Sequence, residues 1–346
     1  MVIVKLYPLA IVMCIVTMLC WGSWANTQKL TSQEWPFQLF YWDYAIGVLL
    51  LSLVSAFSLG SIGRSGRNFL VDLKQAKWSA IQSALLGGII FNLSNILLVA
   101  AIDIAGMAVA FPIGVGLALV IGVITNYIKL PKGNPVLLFL GVGGVVAAIV
   151  FDALAYGQLP SEAKTTVLGL VISVAAGVLM GFFFRFVVAS MATDFDKPQA
   201  GRLTPYTAVF FFSVGLLLSN FVWNSIVMAK PFVGDPVPFL NYFTQGTTKL
   251  HLVGILGGII WNVGMSFSII ASGRAGPSIS YGLGQGATMV AALWGVFVWR
   301  EFAAAPKSTN PLLALMFAFY VIGLGLIVWA GREIKPRTAT QEEQKK

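Results

Sequence analysis

Ten long apolar runs, almost uninterrupted by charge, constrain this chain more than any other feature. We place them at about residues 8–28, 43–60, 79–101, 105–128, 135–152, 167–189, 205–228, 250–272, 277–299 and 311–331. A run of about 20 apolar residues is long enough to cross the hydrocarbon core of a bilayer as a helix. Of the 346 residues, 58% are hydrophobic and 10% are charged. Soluble domains carry about a quarter charged residues, and no water-soluble fold could hide this much apolar surface. A membrane β-barrel would show short alternating segments. These runs are instead continuous in Leu, Ile, Val, Phe and Gly, which predicts an all-α integral membrane protein of ten transmembrane helices.

Ten spans place both termini on one side. The net charge of +9 does not point to nucleic acid, because the basic residues sit in loops and in the tail. On the terminal side stand Lys5, Arg64, Arg67, Lys74, Lys77, Lys129, Lys132, Lys197, Arg202, Arg274, Arg332, Lys335, Arg337, Lys345 and Lys346. The opposite side has only Lys29, Lys164, Lys230, Lys249, Arg300 and Lys307. The excess of 15 over 6 predicts cytoplasmic termini in a multi-pass protein of the cell (inner, cytoplasmic) membrane. Lys5 leads into the first run with no small-residue cleavage site, so that run is read as a helix and not as a removed signal. Cys14 and Cys20 share it, with neither metal-binding nor redox spacing.

An internal repeat is visible at an offset of 170. Residues 86–92 read LGGIIFN and residues 256–262 read LGGIIWN. In the same register Ala105-Gly106 meets Ala275-Gly276, and Gly114-Val115-Gly116 meets Gly284-Gln285-Gly286. Spans three and four thus recur as spans eight and nine. We expect two five-helix repeats, 1–152 and 153–331, followed by a cytoplasmic tail, 332–346. Five is odd, so the second repeat enters the membrane inverted. Transporters use this architecture, with the substrate held near the midplane between the halves.

Polar groups inside lipid are costly and usually face a cavity or another helix. No carboxylate falls at the middle of a span; Asp43, Asp103 and Asp152 lie near outer ends. The mid-span polar groups are neutral. Asn92 and Asn262 sit near the centres of spans three and eight, and Asn95 follows Asn92 at i+3. Gln285 and Thr288 share a face of span nine, as do Asn220 and Asn224 of span seven. Amides both donate and accept, which suits a neutral hydrogen-bonding solute. Bonding to a neighbouring helix is the structural alternative.

Trp21 and Trp24 are three apart on span one, and Trp261 adjoins Asn262 at mid-span. A planar solute could stack on these indoles, and a sugar could rest an apolar face on them. Trp35, Trp42, Trp78, Trp299 and Trp329 fit a headgroup-level belt. Candidate substrate-binding residues are therefore Asn92, Asn95, Trp261, Asn262, Gln285, Trp21 and Trp24. Gly114, Gly116, Gly284 and Gly286 are expected to shape the cavity by letting helices approach or bend. Arg185, in the terminal-side half of span six, is read as snorkelling, with a gate-closing ion pair as the alternative. His251 sits at an interface and is not read as a switch. One histidine, no central carboxylate pair and no metal spacing give little to build a catalyst from, so no enzyme and no cofactor are expected.

Several segments resemble the plant ureide permease family. WGSWANTQKL (21–30) and YWDYAIGVLLLSLVSAFSLGSIG (41–63) are similar to its early helices. LGGIIFNLSNILLVAAIDIAGMAVAFPIGVGLALVIGVITNYI (86–128) resembles its third and fourth helices. ASMATDFDKP (189–198), TPYTAVFFFSVG (204–215) and ALWGVFVWREF (292–302) extend the likeness. The resemblance implies the drug/metabolite transporter fold of two inverted five-helix repeats. It further implies alternating-access transport of allantoin-, uracil- or other oxo-heterocycle-like solutes with proton coupling. Asp43, the acid nearest a span interior on the outer side, is then the candidate proton carrier. Neighbouring bacterial families carry glucose, ribose or rhamnose, so a sugar is the second reading. A membrane-embedded lipid-modifying enzyme or a scaffold is the remote one. Expected partners are a small-molecule substrate, H+ and membrane lipid, with no nucleic acid, in a monomer or homodimer.

Overall fold

A computed structural model describes residues 1–105, 107–159, 167–300, 302, 303 and 305–332. The side chains of Asp103 and Lys164, and the tail beyond Arg332, lie outside the described residues. The first half contains α1 (Tyr7–Ser23), α2 (Ala25–Thr31), α3 (Phe37–Phe57), α4 (Phe69–Gln75), α5 (Trp78–Ala105), α6 (Met107–Lys129) and α7 (Pro135–Tyr156). The second contains α8 (Val167–Ser190), α9 (Pro205–Ala229), α10 (Asn241–Thr244), α11 (Thr248–Ala275), α12 (Pro277–Gly284), α13 (Ala287–Leu293) and α14 (Thr309–Arg332). A π-helical turn, Trp294–Val298, extends α13. Among the described residues the β pairing is one isolated bridge, Met191 to Leu203.

Nine stretches among the described residues are long and apolar enough to cross a membrane, and a shorter apolar helix covers Ile113–Lys129. They match the ten runs. Helix starts follow local chemistry: prolines occupy the first turns of α7 and α9, where a missing N–H costs nothing. Asn68, Asn134 and Thr247 accept from main-chain N–H groups at the starts of α4, α7 and α11, as N-caps do. Two runs are discontinuous. The first breaks at Trp24, between α1 and α2. The ninth breaks at Gln285-Gly286, between α12 and α13.

Both bounds of α11 stand 170 positions after those of α5. Their packing is reciprocal. A Cβ added at Gly88 of α5 would stand 2.0 Å from the Phe212 carbonyl oxygen of α9. One added at Gly258 of α11 would stand 2.0 Å from that of Tyr44 in α3. Conversely, Gly215 of α9 meets the Leu85 carbonyl and Gly47 of α3 meets the Ile255 carbonyl. The α5 and α11 positions in these contacts stand 170 apart and the α3 and α9 positions 168 apart. Glycine permits these close backbone contacts, which suit helices packed in lipid, where no hydrophobic force drives association. The α7 and α14 helices pack against each other, with Gly141 and Gly323 in mutual contact.

The N-terminus and the end of α14 meet on one face. The Met1 ammonium donates to the Ser65 carbonyl at 2.7 Å, and Tyr7 Oη donates to the Val328 carbonyl at 2.6 Å. On the same face Asp72, fully buried, joins the α4 segment to the strap before α9. It accepts from Arg67 Nε at 2.8 Å, Gln75 Nε2 at 3.0 Å and Thr204 N at 2.7 Å.

The aromatic belt needs correction at two positions. Trp35 and Trp42 are 1% and 5% exposed. Each packs under the segment between α9 and α11, through Tyr242 and Phe239 respectively. Trp78 and Trp329 are exposed, at 63% and 58%, as a lipid-facing belt requires. Arg185 stands 5.8 Å from the Phe186 ring centroid, with no acidic partner among the described residues.

Candidate functional site: a central aromatic cavity

The two helix breaks meet at one cavity. Trp21 lies in the last turn of α1 and Trp24 sits in the first break, while Gln285 occupies the second. Discontinuous helices at mid-membrane commonly form substrate sites, because they free side chains and backbone from the regular helical pattern. The cavity is small, with about 50 Å³ of free volume. Trp21, Trp24, Gln285 and Ala287 line one side; Phe91, Asn95 and Leu98 come from α5; Val115, Met180, Phe183 and Trp261 complete it.

Aromatic packing fixes its walls. The indoles of Trp21 and Trp261 stack at 5.8 Å with 12° between planes. Trp21 Nε1 donates to the Trp261 carbonyl at 3.2 Å. Trp21 fits because glycines flank it: Cβ atoms at Gly264 and Gly284 would stand 2.7 and 2.8 Å from its ring. Trp261 rests on Phe91 at 4.4 Å and on Phe212 at 5.8 Å, and Phe183 meets Phe91 at 5.0 Å. The polar lining is two neutral amides. Asn95 Nδ2 donates to Tyr41 Oη at 2.9 Å, which fixes its rotamer and leaves Oδ1 without a donor among the described residues. None of the described lining residues carries a charge.

Five sequence candidates therefore converge: Trp21, Trp24, Asn95, Trp261 and Gln285. Asn92 and Asn262 do not line this cavity. Asn262 Nδ2 donates to the Val48 carbonyl of α3 at 2.7 Å. Asn92 Nδ2 donates to Ser219 Oγ at 3.0 Å, and Ser219 Oγ donates to the Leu216 carbonyl at 3.0 Å. Val48 and Leu216 stand 168 positions apart, the α3–α9 offset, so the two amides clamp corresponding helix pairs at corresponding places. Gly114 and Gly284 sit just behind the lining, one against Leu98 and the other against Trp21. Gly116 touches Ile149, and Gly286 faces Met18 and Leu324. Phe91, absent from the sequence candidates, carried a signal: it is the 170-offset counterpart of Trp261.

Asp43 stands apart from this cavity. It is 1% exposed in α3, on the face opposite the termini. His251 Nδ1 of α11 lies 3.1 and 3.0 Å from its two carboxylate oxygens. Tyr242 of α10 donates to Oδ1 at 2.5 Å. Trp35 meets the His251 ring edge-on at 5.4 Å. The backbone of Gly254 makes room for the carboxylate. The sequence reading of His251 as a plain interfacial residue thus missed its pairing with Asp43, and no local signal marks that contact.

The profile of the Ureide permease family matches residues 40–164 and 157–330. The chain belongs to the ureide permease family. It is 24% identical to Ureide permease 4 of Arabidopsis thaliana over 91% of this chain and 95% of that one. It is also 24% identical to Ureide permease 1 of the same plant, over 92% and 96%. Glucose uptake protein GlcU of Bacillus subtilis (strain 168) is 24% identical over 82% of this chain and 84% of its own. A crystal structure aligns over 95% of this chain and 100% of its own with a TM-score of 0.59 and 18% identity, a likeness of fold. This ureide permease family member is accordingly a multi-pass membrane transporter of small solutes and not an enzyme.

Proposed function

We propose that the chain moves a small, uncharged, planar polar solute, a ureide or nucleobase-like heterocycle, across the cell membrane by alternating access. One observation carries this reading: the cavity pairs stacked indoles with two neutral amides and no charge. A planar ring gains stacking from Trp21 and Trp261. Asn95 and Gln285 then satisfy its polar edge, which a burial without partners would penalise. The five-plus-five arrangement is taken as two inverted repeats, supported by the reciprocal glycine contacts, with the cavity between them. The excess of basic residues on the terminal face supports cytoplasmic termini.

A sugar is the second reading. Glucose uptake protein GlcU is among the relatives, and an indole also accepts the apolar face of a pyranose. Uptake of labelled allantoin, uracil, glucose and ribose into proteoliposomes separates the two. Heterocycle uptake, competed by unlabelled heterocycle and not by sugar, is expected. Sugar uptake with no response to heterocycles would overturn the first reading.

We further propose that a coupling proton resides on the Asp43–His251 pair, the buried carboxylate and imidazole in direct contact. Uptake should rise with an imposed inward proton gradient, and Asp43→Asn should remove that response. Uptake by the unmodified protein indifferent to the gradient would sink this part.

A further inference from the structure

The segment between α9 and α11 folds back on the helix before it. Its main chain returns onto the end of α9, where Val237 N donates to the Met228 carbonyl at 2.9 Å. Trp42 of α3 is then gripped from both sides, by Phe221 of α9 at 4.9 Å and by Phe239 of the segment at 5.5 Å. Phe221 lies eight positions before Ala229, the last residue of α9. That is about 12 Å along the axis, at roughly 1.5 Å per residue. Trp42 therefore bridges Phe221, inside the span, and Phe239, beside the end of α9.

Large apolar side chains are exposed on this segment: Phe239, Leu240 and Phe243 are 49%, 67% and 67% exposed, with exposed Thr244 and Gln245 at its far end. Through the shared contact with Trp42 they adjoin the side of α9 on which Leu218, Phe221 and Ile226 are 60%, 60% and 52% exposed. Tyr242 points the other way. It donates to Asp43, and its ring lies 4.6 Å from His251. Burial, and then Asp43, pushes the Tyr242 hydroxyl upward in pKa, which keeps it a donor. Polar Asp235 sits at the exposed turn before the returning chain.

We propose that residues 237–244 form an interfacial lid, with Phe239, Leu240 and Phe243 seated in the lipid headgroup–acyl boundary of the leaflet opposite the termini and Tyr242 clamping the lid to α3 and α11. Lipid is the occupant because the apolar side continues a surface that already faces lipid. Short amphipathic segments lie in that layer when one side is apolar and the other is held by polar contacts.

Nitroxide labels on single cysteines test this in the reconstituted protein, with Cys14 and Cys20 replaced by Ala. The labels go at Phe243, Leu240, Phe221 and Asp235. Collision with oxygen, which concentrates in the bilayer, is compared with collision with a water-soluble nickel chelate. Positions 243 and 240 should resemble position 221, dominated by oxygen, while 235 is dominated by nickel. A nickel-dominated label at 243 would overturn the lipid seat. So would a label shielded from both reagents and dipolar-coupled to another, which would mean that a second copy covers this side. In Tyr242→Phe the label at 243 should move faster, and an unchanged spectrum would overturn the clamp. The readout is depth and motion, not uptake, so it fails independently of the transport proposal.

Discussion

Trp21 and Trp261, 240 positions apart in sequence, stack nearly parallel, and the Trp21 indole N–H donates to the Trp261 carbonyl. One contact thus joins the break in the first span to the centre of the eighth. It also makes Trp261 both a wall of the cavity and a packing residue.

Truncation of Trp261 to Ala is expected to cost about 3–5 kcal/mol of stability, which would mask any effect on substrate. Trp261→Phe keeps a ring against Phe91 and narrows the stacking surface. The protein should stay monodisperse in detergent while the KM for uptake rises about tenfold. That is about 1.4 kcal/mol, within the range for an aromatic pair. An unchanged KM would remove Trp261 from the substrate site.

Gln285→Ala and Asn95→Leu each delete one neutral amide from the lining. A net hydrogen bond contributes about 0.5–1.5 kcal/mol, so each KM should rise roughly two- to tenfold. Asn92→Ala, outside the lining, should lower thermal stability before it alters KM. Uptake titrations beside thermal unfolding of each variant separate the two behaviours.

Gly88→Ala and Gly258→Ala should destabilise to similar extents, about 1–3 kcal/mol by overpacking. In each, the new methyl group would fall 2.0 Å from a carbonyl oxygen of the facing helix. Gly143→Ala is the control, because nothing stands within 4 Å of its added Cβ. Thermal unfolding in detergent tests all three. Unequal losses at 88 and 258 would count against equivalent roles in the two halves.

Asp72→Ala should loosen the terminal face. It strands the Arg67 guanidinium, whose side chain is 17% exposed. Three carbonyl acceptors on Pro198, Gln199 and Arg202 remain to it. Breaking a buried pair on one side costs on the order of 3 kcal/mol, and those carbonyls should hold the loss at or below that value. Faster proteolysis between α8 and α9 is the expected readout. An unaltered digestion pattern would show that the strap does not depend on Asp72.

Much of the fold is legible residue by residue. Hydropathy belongs to each side chain, so the runs mark the spans wherever they pack. The 170-residue offset is likewise a property of the string, and Phe91 could have been read from it as the counterpart of Trp261. The second helix break is visible in Gly284-Gln285-Gly286, whereas at the first a lone Gly22, two residues before Trp24, is the weaker mark.

What each polar side chain faces is a different kind of quantity. Asn92 and Asn95 sit three residues apart, about 60° apart around the helix at roughly 3.6 residues per turn. Which one reaches the cavity depends on the rotation of α5. The seating of Gly88 on Phe212 sets that rotation, turning Asn92 to Ser219 and Asn95 to Tyr41. The Asp43–His251 contact spans 208 positions and rests on the same kind of close approach, Gly254 against the Asp43 side chain. The sequence alone determined that ten apolar helices must cross a bilayer and that two stretches repeat, because those are local and additive properties. Only the tertiary structure decided which amides bind helices and which line the cavity, because helix rotation is a collective outcome of packing.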